Sequence, residues 1–167
     1  MTIRKAEPKD LQIVFKITHT TISEIYPRYY PSGAVKFFLD YHSKDAVAKD
    51  ISDGKVFICY APDGTAAGTA TLCGNEIQRL YVLPEYQGRG FGGALVEFAE
   101  QELFKTVDEV IVEASLPAKG LYKKRGYTET EYLSIKAENG DFLCWDKMSK
   151  HRKTSGGGEK KFSAPPP

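Results

Sequence analysis

The sequence predicts one α/β domain, a mixed and mostly antiparallel sheet flanked by helices. Three observations carry that expectation. At 167 residues the chain has room for one sizeable hydrophobic core and little for a second. Its patterned segments run strand, helices, three strands, helix, strand, helix, two strands, and short turns between consecutive strands make those neighbours antiparallel. A single long helical crossover separates the fourth strand from the fifth, so that pair is expected to be parallel.

The opening TIRKAE reads as a short strand. Pro8 suits the first turn of a helix, where a missing N–H costs nothing, and Leu11, Val14, Phe15 and Ile22 share one face of a helix reaching Ile22. Pro27 and Pro31 stop helical structure in IYPRYYP. SGAVKFFLDY and SKDAVAKDI follow as two short helices, the second with Ser43 placed to cap it. KVFICYA and TAAGTATLCG are strands joined by a PDG turn, and EIQRLYVL, ended by Pro84, is the fourth strand. ALVEFAEQELF is an amphipathic helix to about Phe104, VDEVIVEA the fifth strand, and AKGLYKKRG a short helix. YTETEYLSIKA and FLCWDKM form a closing hairpin around ENGD.

Composition narrows the function classes. Hydrophobic residues make up 41% and charged residues 27%, without the run of ~18 apolar residues that crosses a membrane. The first residues lack the apolar core of a secretion signal, and Cys59, Cys73 and Cys144 follow neither zinc nor CxxC spacing. A reduced, cytoplasmic setting without a metal or a membrane partner is therefore expected. Residues 150–167 carry five basic side chains and one acidic, which leaves 18 basic against 21 acidic in residues 1–149. A mildly acidic body argues against a nucleic-acid partner, which would need a clustered basic face. KHRKTSGGGEKKFSAPPP buries too little apolar surface to fold, so the domain is expected over 1–149, followed by a disordered tail over 150–167.

Residues 84–93 read PEYQGRGFGG, with glycine at 88, 90, 92 and 93 just where a helix begins. Each glycine inside a helix costs about 1 kcal/mol against alanine, so four together need a compensating reason. Gly88, Gly90 and Gly93 satisfy GxGxxG, but that dinucleotide fingerprint belongs to a βαβ unit of an extended parallel sheet, and here a strand meander precedes the helix. No Gly-Lys-Ser/Thr follows, which excludes a Walker A loop. The physics shared by both motifs survives. Amides of a glycine-rich turn converge at a helix N-terminus, the helix dipole favours negative charge there, and absent side chains admit a pyrophosphate. Arg89 adds a cation.

QGRGFG at 87–92, following a strand that ends in VLPEY, resembles the Q/R-x-x-G-x-G/A acyl-CoA pyrophosphate motif of the GNAT superfamily of N-acetyltransferases. A second segment, SLPAKGLYKKRGY, is similar to that family's N-x-x-A-x-x-L/F-Y-x-x-x-G-F/Y element: Ala118, Leu121, Tyr122, Gly126 and Tyr127 match in spacing, while Ser115 stands at the asparagine position. The resemblance covers about residues 2–149 and implies a GNAT fold whose sheet splays between the fourth and fifth strands to admit acetyl-CoA. It implies that the backbone from Leu80 through Tyr81 and Val82 to Leu83 holds pantetheine and thioester. Gln87, Gly88, Arg89, Gly90, Phe91, Gly92 and Gly93 would hold the pyrophosphate, with Ser115 and Tyr122 also at the cofactor.

The same resemblance implies direct attack of a primary amine on the thioester in a ternary complex, with a backbone N–H near Tyr81 or Val82 meeting the oxyanion. Tyr122 occupies the usual position of the acid that protonates the leaving thiolate; its other reading is an aromatic packed between helix and sheet. A lysine-like amine, pKa ~10.4, must lose a proton before it attacks. Glu76 fits the glutamate base of the histone acetyltransferase branch, or equally a solvated residue at a strand's start. Arg79 fits a substrate contact or an ion pair, and Tyr26, Tyr29 and Tyr30 an aromatic mouth for the acceptor or a plug over the sheet. His19 and His42 carry no motif and read as helix-surface residues. The acceptor expected is a small-molecule or peptide amine, the oligomeric state is open between monomer and homodimer, and the rival functions are a non-catalytic acyl-CoA-binding module and a scaffold of the same fold.

Overall fold

The computed structural model describes residues 1–152. Strand β1 (Thr2–Lys5) is followed by a 3-10 turn at Pro8–Asp10 and by helices α1 (Leu11–Ile25), α2 (Ser32–Tyr41) and α3 (Lys44–Ser52). Strands β2 (Val56–Tyr60), β3 (Ala66–Cys73) and β4 (Glu76–Val82) form the meander. Then come α4 (Phe91–Leu103), β5 (Glu109–Ser115), α5 (Lys119–Lys124), β6 (Thr128–Lys136) and β7 (Phe142–His151). The seven strands make one sheet in the order β1-β2-β3-β4-β5-β7-β6, antiparallel throughout except for β4 beside β5. Ser43 caps α3 as its position suggested, its hydroxyl accepting the Ala46 amide at 3.3 Å, a contact worth about 1 kcal/mol.

Helices cover both sides of the sheet. Val14 of α1 and Val47 and Ile51 of α3 bury Val56 and Ile58 on one side. On the other, Val96, Ala99 and Leu103 of α4 pack on Val110, Val112 and Met148. The feature that shapes the site lies in the middle of the sheet. β4 and β5 are paired only at Glu76 with Ile111 and Ile77 with Val112, and beyond that point they part. β4 is also bulged there: Thr71 faces Gln78 and Thr69 faces Tyr81, so Arg79 and Leu80 together oppose one residue of β3. Arg79 takes φ 39°, alone among the described non-glycine residues in having a positive φ. Strain of that kind is held only where surrounding contacts over-determine it.

The boundary expected at residue 149 falls inside a strand. Lys150 pairs with Val110 in the β5–β7 register, its ammonium reaches both Glu100 oxygens at 2.9 Å, and the Arg152 amide and guanidinium bond Asp108 O and Val107 O. The basic run reads as tail by composition, yet alternate positions of a strand can place long cationic side chains over the sheet with their heads on acidic partners. The rest of the expected tail, residues 153–167, lies outside the described residues. Ending the chain after Ser149 strips Glu100 of its closest cation and leaves Arg125 at 3.7 Å. The expected result is a melting temperature about 5 °C lower, checked by calorimetry, because losing a partly buried pair costs roughly 2 kcal/mol in a domain of this size.

Candidate active site

The glycine-rich turn forms one wall of a cleft of about 400 Å³. A short 3-10 turn at Pro84–Tyr86 carries the chain off β4, and Gln87 ties it back by donating from Nε2 to Val82 O at 2.9 Å. Gly88 and Gly90 take φ 71° and 89°, where a Cβ is strained, and Gly90 sits immediately before α4. A Cβ on Gly93 would meet nothing within 4 Å, so the space beside it is open. The first main-chain bond of α4 is donated by Ala94 to Gly90 O, which leaves the amides of Phe91, Gly92 and Gly93 without a helical acceptor. These donors, the positive end of the α4 dipole and the absence of side chains suit the binding of a phosphate group.

From that wall the cleft runs into the gap between β4 and β5, past Leu80, Tyr81 and Val82 on one side and Ser115, Pro117 and Ala118 on the other. The Leu83 amide donates to Ala67 O of β3, and since strand amides alternate sides, Val82 N–H turns to the open edge. Val82 O faces the same way and accepts from Gln87 and from Thr21 of α1 at 3.1 Å. A second cavity, about 340 Å³, lies against the first. Tyr26, Leu80, Tyr81, Ser115 and Ala118 line both. The second is closed by Phe37, Phe38 and Tyr41 of α2, by Glu76 and Glu113, by Leu143 and Trp145 of β7, and by Tyr122. Tyr122 is 4% exposed, and burial, with Tyr26 and Glu76 adding to it, holds its phenol well above the ordinary range, so it keeps its proton at neutral pH.

A buried polar chain runs along the junction. Asp50 pairs with the Arg79 guanidinium, Arg79 Nε donates to His42 Nδ1 at 3.0 Å, and His42 Nε2 lies 2.8 Å from the Tyr81 hydroxyl. An Nδ1 that accepts assigns the ring proton to Nε2, so the imidazole is neutral and donates to Tyr81. Burial, then Arg79 and His19, push the His42 pKa down to about 3. Beyond Tyr81 stands Tyr26, whose hydroxyl donates to Ser115 Oγ at 3.0 Å. His42 is therefore not a helix-surface residue: it ends α2 at 6% exposure, inside the site. Between pH about 3 and about 6.5 the unfolded chain binds a proton at this position that the folded chain refuses. Its stabilising contribution is whole above pH 6.5 and falls on acidification, by up to ~1.4 kcal/mol per pH unit. His42→Gln is expected to flatten the dependence of melting temperature on pH between 5 and 6.5 while lowering stability at pH 7.

Most of the residues expected at the site come together, and some do not. Leu80, Tyr81, Val82, Gln87, Gly88, Gly90, Gly92, Gly93 and Ser115 line the cleft. Leu83 has its amide engaged by β3 and does not line it. Phe91 is 3% exposed and turns its ring into the core against Tyr86, leaving only its amide at the turn. The Arg89 guanidinium stacks over the Tyr86 ring at 5.0 Å, outside the lining. Glu76 and Arg79 line the second cavity, Arg79 with its charge paired to Asp50. Tyr26 lines both cavities, whereas Tyr29 is 50% exposed and lines neither. Tyr30 is a brace: it donates to Cys144 O at 2.9 Å and accepts the Leu116 amide at 2.8 Å, fixing the chain after β5 to β7. Sequence reasoning missed His42, Asp50 and Thr21, which sit on three helices with no motif to mark them. Among the described residues no group of three or more His, Cys, Asp or Glu side chains is arranged to hold a metal ion.

Comparison with known proteins bears directly on this arrangement. The search of curated sequences finds no match. Among solved structures, the fold matches a GCN5-related N-acetyltransferase from Rhodopseudomonas palustris with TM-score 0.82 at 25% identity, over 90% of this chain and 95% of that one. It also matches the PaiA N-acetyltransferase of Thermoplasma acidophilum solved with coenzyme A (TM-score 0.67, 21% identity, 90% and 98% covered). The acetyltransferase YncA of Salmonella typhimurium, solved with acetyl-CoA, has TM-score 0.70 at 15% identity over 96% and 98% of the two chains. The family profile described as "Acetyltransferase (GNAT) domain" matches residues 25–150, most of the chain and all of the site except Thr21. With that match, the splayed sheet and the glycine turn in agreement, this chain belongs to the GNAT family of acetyl-CoA-dependent N-acetyltransferases.

Proposed function

We propose that the chain moves acetyl from acetyl-CoA to a primary amine by direct attack, with both reactants bound at once. The observation that carries this reading is the meeting of two cavities at the β4–β5 gap, with an unengaged strand amide on one side and Tyr122 on the other. The residues fit acetyl-CoA: the open amides of Phe91, Gly92 and Gly93 suit a pyrophosphate, and Leu80, Tyr81 and Val82 along the open edge of β4 line the cleft for the extended arm that carries the thioester. That group supplies the activated acetyl thioester. Val82 N–H then faces the carbonyl oxygen as charge builds on it, a kind of contact whose removal typically costs ~10²–10³ in turnover. Tyr122, protonated because it is buried, gives its proton to the departing sulfur. Glu76, in the second cavity, takes the amine's surplus proton directly or through one water.

The reading is tested by thermal shift with acetyl-CoA, followed by free-thiol release across a panel of amines. Stabilisation together with amine-dependent thiol release is the expected result. Stabilisation without turnover on any amine identifies an acyl-CoA-binding module, and the absence of any shift identifies a scaffold.

A further inference from the structure

We propose that the acceptor carries two positive charges separated by an apolar stretch, one beside Glu76 and the other beside Glu113, with the aromatic mouth receiving it. This rests on the reading of the second cavity as the acceptor site.

Charge is the first observation. The ionisable side chains lining that cavity are Glu76, Glu113, Arg79, His42 and four tyrosines. Arg79 and Asp50 neutralise one another behind the wall, with side chains 9% and 16% exposed. His42 has both ring nitrogens engaged and is neutral. Lys147 stands opposite Glu113 in the β5–β7 register but does not line the cavity. Glu76 and Glu113 are left as the carboxylates facing the void. They already act on each other: after burial it is Glu76 that most raises the Glu113 pKa, with Glu131 adding to it and Lys147 and Trp145 acting the other way. Two carboxylates sharing one void are relieved by a cation between or beside them.

Spacing is the second. Glu76 is level with Ile111, so Glu113 lies two residues farther along β5 on the same face. Two strand residues and one interstrand step separate their Cα positions by about 8 Å. That is too far for one ammonium to bond both carboxylates closely, and it suits two.

The third observation is the mouth. Phe37 and Tyr41 lie on one face of α2 with their rings stacked at 6.1 Å, and they are 36% and 63% exposed. Large aromatic rings left open to water at the rim of a cavity are a binding surface rather than a core, and their faces attract cations. Between mouth and gap the lining is apolar, with Phe38, Ile135, Leu143 and Trp145, and so accepts methylenes.

The test compares kcat/KM for alkane diamines of three to six carbons with that for alkyl monoamines of matched length, in the full chain saturated with acetyl-CoA. The expected result is a preference of tenfold or more for a diamine, since only the diamine adds a charge-assisted hydrogen bond to the second carboxylate. In Glu113→Gln that ratio should collapse toward one, and Glu113→Asp should recover part of it. The acetyl-CoA thermal shift, retained in both variants, shows that they fold. Turnover of both series without a diamine preference, or a preference that survives in Glu113→Gln, overturns the dication. Thiol release with peptide amines alone overturns it in favour of a peptide acceptor. Thiol release with no amine at all overturns the function on which the inference rests.

Discussion

Gly90→Asp is expected to abolish measurable acetyl-CoA binding, a loss of at least ~10²-fold in affinity by calorimetry. Three effects act in the same direction. Gly90 holds φ 89°, a conformation that costs a residue with a Cβ about 1–2 kcal/mol, so the turn shifts or strains. The new carboxylate also stands at the start of α4, where it competes for the amides of Phe91, Gly92 and Gly93 that the pyrophosphate would use. Finally, its charge repels the phosphates. Gly90→Ala isolates the first effect and should weaken binding far less. Equal and small losses in both variants would return the glycines to a packing role.

Tyr122→Phe should slow the chemical step by on the order of 10²-fold while leaving acetyl-CoA affinity and melting temperature close to the parent's. General acid catalysis typically contributes 10²–10⁴-fold, and a thiolate is already a tolerable leaving group, so the lower end applies. The phenylalanine ring keeps the edge contact with Tyr127, 5.4 Å between centroids, and its place among Ile77, Val112 and Leu121. Single-turnover measurement is required, because a slow product release would mask the loss in steady state. A chemical step at the parent rate would make Tyr122 a packing residue; a slowed step together with a large loss of cofactor affinity would mean that the hydroxyl holds the cofactor.

The glycine turn and the β4–β5 gap were legible in the sequence because they are written in local terms. Glycines at 88 and 90 are there for positive φ, and the order of turns and one crossover dictates which strands are parallel; both act over short stretches of chain. In the second cavity Glu76, Arg79 and Tyr26 were named from the sequence, but the polar chain behind them was not legible. His42 meets Tyr81 only because α2 ends above β4, and Asp50 reaches Arg79 from α3, contacts set by tertiary packing between segments about thirty or more residues apart. The bulge at Arg79 likewise leaves no trace in the strand's sequence, since no glycine or proline marks it. At the far end, a basic run that reads as tail turned out to finish β7, because strand pairing and the Glu100 carboxylate outweigh composition.

Leu80, Tyr81, Ser115, Ala118 and Tyr26 line both cavities, so the two ligands proposed for them would have a common wall. Such a wall carries a coupling free energy: if acetyl-CoA settles Leu80 or Tyr26 into one arrangement, the acceptor meets an already ordered surface and binds with a different affinity. Linkage then requires the acceptor to change the affinity for acetyl-CoA by the same factor. Substitutions at this wall should therefore move both dissociation constants and the factor that connects them. Changes at Gly93, confined to one cavity, or at Tyr41, confined to the other, should move one constant and leave that factor alone.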